Sequence, residues 1–223
     1  MYFGLSEDQK FFQENVSKFL EDQSNLDVIR KITEGEANEI QQEIHDGLVN
    51  LGLGSLLIPE QYGGLGLDLL FATAVSQSLG EGLGPIPFAG SYIMAPLAIM
   101  HGGNQEQKNN YLTKMSENSM RIGVGFSEYI GARDNANISI NDNKISGRAL
   151  FVIDAKDASH LMLSDKNGMI GIVESSSSGI EITELVAVDK TRNFLEVQLK
   201  DVDIDILELT STSKEAIERR FNH

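Results

Sequence analysis

LGLGSLLIPEQYGGLGLDLL, residues 51–70, is the stretch whose reading decides the fold. A short apolar run, Leu56-Leu57-Ile58, stops at Pro59, and glycines at 63, 64 and 66 then punctuate a loop. Asp68 stands where a side chain caps the next helix, and Leu69, Ala72, Val75, Ser76 and Leu79 form its apolar, small-residue stripe. No Gly-Lys-Ser/Thr follows the glycines, so this is no phosphate-binding P-loop. It also lacks the βαβ surroundings and downstream acid of a dinucleotide fingerprint. Taken alone, the stretch reads as a tight turn between two layers of helices.

Helical spacing extends outward on both sides. Ser6 and Gln9 form a capping-box pair ahead of Phe12, Val16, Phe19 and Leu20 on one face. A second helix is expected from about Glu36, with Ile40, Ile44, Leu48 and Leu51 at helical spacing and Gly52 as its stop. GEGLGPIPF, residues 80–88, is a breaker cluster. SYIMAPLAIMHGG reads as a buried helix interrupted near Pro96. Asn104 with Gln107 then opens another capped helix.

From about Met120 the texture changes to short runs rich in Ile, Val, Leu and Phe, separated by Asn, Asp, Gly and Ser. NISI–NDN–KIS predicts a hairpin. Runs spaced this way predict an antiparallel β-barrel or sandwich. LTSTSKEAIERRFNH at the end predicts one more helix, capped at Ser213. The expected organisation is α+β and multidomain: a helical N-terminal domain over 1–119, a β-barrel-like middle domain over 120–209, and the start of a C-terminal helical segment over 210–223. A helix this short at a terminus is marginal alone, so it reads either as a frayed tail or as the opening of a further segment.

Composition narrows the chemistry. Hydrophobic residues make up 41% and charged residues 23%, as in globular proteins. The formal net charge of −15 argues against a nucleic-acid backbone or an anionic membrane surface as partner, though local amides and basic side chains can still hold a small anion. No cysteine is present, which excludes disulfides and thiolate catalysis. His45, His101, His160 and His223 lack metal-ligand spacing, so no metal site is expected. No signal core, transit pattern or membrane-length apolar run is seen, and a cytoplasmic protein is expected.

GVGFSEYIGARD, residues 123–134, begins as a strand and breaks into a polar turn with Glu128, Gly131, Arg133 and Asp134. In its order of parts the chain resembles the acyl-CoA dehydrogenase family of flavoenzymes. Residues 51–70 carry the most specific likeness. GFSEYIGARD stands where that family has Thr-Glu-Pro-x-x-Gly-Ser-Asp, ISGRALFVID where it has Asn-Gly-x-Lys-x-Trp-Ile-Thr, and FLEVQLKDVDI resembles the strand that closes its β domain.

The resemblance implies a helical domain, a β domain and a C-terminal four-helix domain, with FAD between the last two and an acyl-CoA against its ring. The implied chemistry, in fatty-acid or lipid metabolism, is α,β-dehydrogenation. A carboxylate removes the α-proton, hydrogen bonds stabilise the developing enolate, and the β-hydride passes to the flavin. An acceptor like electron-transfer flavoprotein and a homo- or hetero-oligomer are implied partners.

Residue by residue, the resemblance assigns Phe126, Ser127, Arg133, Phe151, Val152 and Ile153 to the cofactor, and Arg133 also to the substrate. Ser127 keeps the family's hydroxyl. Tyr129 replaces a proline, Arg133 a serine, Ala149 a lysine and Ile153 a threonine whose hydroxyl contacts the flavin. Arg133 reads either as a phosphate clamp or as bulk filling a vestigial site. Glu215 and Glu218 are candidate bases, weighed against exposed helix acids beside Arg219 and Arg220. These substitutions leave open a second role, a catalytically degenerate partner subunit of a heteromeric dehydrogenase, and a third, a scaffold of the same fold.

Overall fold

The computed structural model describes residues 4–126 and 137–208. Six α-helices are found among them: α1 (Glu7–Gln23), α2 (Leu26–Glu34), α3 (Asn38–Asn50), α4 (Leu69–Glu81), α5 (Ala95–Gly102) and α6 (Gln105–Ser116). A π-helix, Phe88–Met94, feeds directly into α5. Eight strands follow: β1 (Ile122–Gly125), β2 (Ser139–Asn141), β3 (Lys144–Ile153), β4 (His160–Ser164), β5 (Ile170–Glu174), β6 (Ile180–Leu185), β7 (Phe194–Asp203) and β8 (Asp205–Ile206). Helices first and sheet second is the order the sequence predicts.

The caps form as their residue types dictate. Gln9 N–H donates to Ser6 Oγ at 3.2 Å while Ser6 N–H donates back to Gln9 Oε1 at 2.9 Å. Asn104 and Gln107 repeat this box at the start of α6. Asp68 accepts from the Leu70 and Phe71 N–H groups and starts α4. The 51–70 stretch is a folded loop, not a strand. Leu65 N–H donates to the Ser55 carbonyl, Gly66 N–H to Ile58 and Leu67 N–H to Leu56, so the chain doubles back on itself. A Cβ at Gly64 would lie 2.0 Å from the Ile58 carbonyl oxygen, which is why only glycine fits there.

The interruption expected near Pro96 lies at Met94–Ala95, where the wider π-turns give way to α-turns. α2 is a helix the spacing argument passes over. Asn25 caps it, and Ile29 and Ile32 sink into the helical core beside Leu20, Leu48 and Val75.

The strands form one sheet in the order β6-β7-β3-β1-β4-β5-β8, with β2 on β3. The predicted hairpin is β2–β3, closed by Asp142 and Asn143 at φ 48° and 57°, a two-residue turn of the I′ type. The sheet is mixed, because β1 and β4 run parallel from Ile122↔His160 to Gly125↔Leu163, while the other strand pairs among the described residues are antiparallel. A central core cluster carries residues of both parts: Ile99 and Leu112 from the helices pack with Ile122, Val124 and Met162 from the strands. Tyr111 Oη and Gln107 Nε2 both donate to the Asp205 carboxylate at 2.6 Å, tying α6 to β8. No described helix is long and apolar enough to cross a membrane.

Candidate functional site

β1 and β3 meet in the middle of the sheet, paired antiparallel at Val124↔Ile153. This register brings the exit of β1, at Phe126, toward the last residues of β3. Four of the six residues assigned to the cofactor therefore lie in one neighbourhood: Phe126, Phe151, Val152 and Ile153. Ser127 and Arg133, with Tyr129, lie outside the described residues, as do Glu215 and Glu218.

β3 is not regular here. Its pairing with β7 steps from Ala149↔Val197 to Val152↔Leu195, so Leu150 and Phe151 stand opposite Glu196 alone. That is a β-bulge, and it re-aims side chains. Phe151 takes the left-handed conformation at φ 54°, uncommon for a bulky residue, and its side chain is left 37% exposed. Its ring meets Phe194 edge-on, with centroids 6.3 Å apart and planes at 80°. Val152 is fully buried in the sheet core with Ala149, so its side chain faces away from any surface. Ile153 and Phe126 are partly buried and, like Met94 and Met100, pack against the central cluster.

Asp154, which no motif singles out, links this strand to the helices. At φ 54° it turns out of β3, and its Oδ2 accepts the Gly90 N–H at 2.6 Å and the Ser91 N–H at 3.4 Å. Ser91 Oγ in turn donates to the Ile122 carbonyl at 2.8 Å. The π-helix is thus fastened to both β1 and β3. Burial pushes the Asp154 carboxyl above its ordinary value, against the lowering influence of the two N–H donors and of Arg192 and Arg121.

Tyr92, on the same π-helix, is buried, and its Oη sits 2.9 Å from His45 Nε2. Burial pushes the phenol to about 12, so it stays protonated. His45 Nδ1 lies 3.1 Å from Asp46 Oδ1. The sequence signal for this group was a lone histidine on a helix, which says nothing of its partners.

Residues 6–119 match the family model for the N-terminal domain of acyl-CoA dehydrogenases, just over half of the chain. The chain belongs to the acyl-CoA dehydrogenase family. It is 24% identical over 180 residues to mitochondrial isovaleryl-CoA dehydrogenase of Bos taurus, covering 77% of this chain and 42% of that protein. It thus spans less than half the length of that relative.

Solved structures carry the same fold beyond the matched helices. A glutaryl-CoA dehydrogenase from Mycobacterium smegmatis in complex with FADH2 superposes with a TM-score of 0.77 over 97% of this chain and 60% of that one, at 16% identity. The ChsE4–ChsE5 complex from Mycobacterium tuberculosis gives 0.72 over 100% of this chain and 61% of that one, at 17% identity. Within this family, the described part of the expected cofactor surface is aromatic and aliphatic. Phe126, Phe151, Val152 and Ile153 carry no polar side-chain atom, so they offer a cofactor ring faces and backbone groups only.

Proposed function

We propose that this acyl-CoA dehydrogenase relative forms part of an FAD-dependent enzyme that introduces a double bond between Cα and Cβ of an acyl-CoA thioester. The observation that carries this reading is Phe151. Its bulge and left-handed backbone hold an aromatic ring outward on the sheet, and strain of this kind is kept where function uses it. A partly exposed aromatic ring on the sheet fits a flat, largely apolar ring system. FAD, when bound, supplies the hydride-accepting chemistry.

In this reading Phe151 stacks against the cofactor and excludes water from one side of it. Phe126 and Ile153 form the apolar floor, resting on the central core cluster. Ser127 and Arg133 would add a hydroxyl and a phosphate clamp at the exit of β1, with Arg133 also reaching the substrate. An electron-transfer-flavoprotein-like acceptor and an oligomeric assembly, in a cytoplasmic setting, belong to the same proposal.

One observation favours a second reading, the degenerate partner subunit. Ile153 packs inward where a side-chain donor is implied, and Ala149 is buried in the core where a lysine is implied. The two readings separate on the visible spectrum of the native assembly. Flavin bleached by an acyl-CoA, and lost with Phe151→Ala, supports the first. Flavin that survives this substitution supports the second.

A further inference from the structure

A second site lies at the opposite end of β1. Where Phe126 leaves that strand toward the surface described above, Arg121 enters it, five residues or roughly 16 Å away along an extended chain. Arg121 lines a cleft of about 410 Å³ between α3, the 85–87 turn, the end of β3 and the start of β7. A volume of this size suits a small metabolite.

The lining carries three basic side chains and two carboxylates, on a chain of net charge −15. Arg121, Lys156 and Arg192 line the cleft, against Asp154 and Asp157. Asp154 directs its carboxylate at the π-helix amides, and both arginines also act on it through space. Lys156 is drawn toward Glu184 at 3.5 Å. Neither arginine forms an ion pair among the described residues.

Each guanidinium instead donates to one carbonyl of the wall. Arg121 Nη2 donates to Lys156 O at 2.5 Å, and Arg192 Nη1 to Ile86 O at 3.5 Å. Arg121 Nε is buried and has no hydrogen-bond partner in the described structure. The rest of the lining includes the amides of Asn38, Gln41 and Asn193, and it contains no aromatic face other than His45, whose Nε2 is engaged by Tyr92.

We propose that this cleft binds the phosphate group of a small, polar, phosphorylated metabolite. Two guanidinium groups bring several N–H donors to one cleft, as the oxygens of a phosphate require, and the amides supply further donors. The site is separate from the cofactor surface and stands whether or not the chain binds a flavin.

The test is titration of inorganic pyrophosphate into the 223-residue chain, followed by amide NMR shifts and calorimetry, with citrate as the carboxylate control. Saturable shifts at residues 85–87, 121, 154–157 and 191–193, and affinity roughly tenfold or more weaker in Arg121→Gln and in Arg192→Gln, are the expected results. Citrate binding as tightly as pyrophosphate would overturn the assignment to phosphate. Absent shifts, or shifts mapping elsewhere on the wild-type chain, would overturn the site itself, with no dependence on how well either variant folds.

Discussion

Asp154 Oδ2 accepts the Gly90 N–H at 2.6 Å, so the residue just after β3 also holds the start of the π-helix that follows Pro87. One carboxylate thereby sets the position of the Phe151–Ile153 segment relative to the helices beneath it. Asp154→Ala removes the acceptor and leaves two N–H groups unmet. It should lower stability by about 1–3 kcal/mol in denaturant melts. Asp154→Asn keeps an oxygen at this position and should stay within about 1 kcal/mol of wild type at neutral pH.

The pH dependence of that pair has a definite sign. Burial holds the folded Asp154 carboxyl above its ordinary value of 3.8, so the folded chain binds more protons than the unfolded chain just above that pH. Its contribution therefore falls as pH rises from 3.8 through the folded value. The stability difference between Asp154→Asn and wild type should shift in the variant's favour across this window, as read from melting temperatures at a series of pH values. A difference that moves the other way would place the carboxyl below its ordinary value.

Gly64→Ala tests the doubled-back loop. The added Cβ would meet backbone, the Ile58 carbonyl, rather than a side chain that can swing aside. A loss of about 1–3 kcal/mol is expected in thermal or chemical melts, the range for overpacking a filled site.

The β2–β3 turn offers a milder probe. Asn143 at φ 57° suits the left-handed region, and Asn143→Gly should be neutral or slightly stabilising. Asn143→Val should cost about 1–2 kcal/mol, because a β-branched residue is strained there.

What was legible in the sequence follows from how local each cause is. The Ser6, Asp68 and Asn104 caps and the Asp142–Asn143 turn are decided within four residues, and all formed as read. α2 carried the same signals, Asn25 before it and Gly35 after it, but its nine residues hold too short an apolar repeat to stand out. The π-helix leaves no periodic trace in seven residues, and the Gly90–Asp154 contact that holds it spans 64 positions. Alternation marks a strand without naming its neighbour, so the parallel β1–β4 pair escaped a reading that expected antiparallel connections.

The candidate site divides the same way. The family resemblance assigns Phe151 to the cofactor, yet its exposure depends on a bulge in its pairing with β7. Val152, adjacent in sequence, faces the opposite way and is buried. Arg121 and Arg192 come together only through the sheet order, and no motif joins two residues 71 positions apart.

Phe151 is where the functional reading is most exposed to test. Phe151→Gly relieves the left-handed backbone but removes the ring. It should be as stable as wild type or more so, by up to about 1 kcal/mol, although a partly buried aromatic has been deleted. A loss well beyond that would make the residue a packing element instead.

The most direct measurement is the visible absorption spectrum of the native assembly purified under non-denaturing conditions, before and after an acyl-CoA is added anaerobically, for wild type and Phe151→Ala. The account predicts a stoichiometric flavin band that the acyl-CoA bleaches in wild type and that is lost in the variant. A native assembly without flavin, or one whose flavin is unaffected by Phe151→Ala, would contradict it.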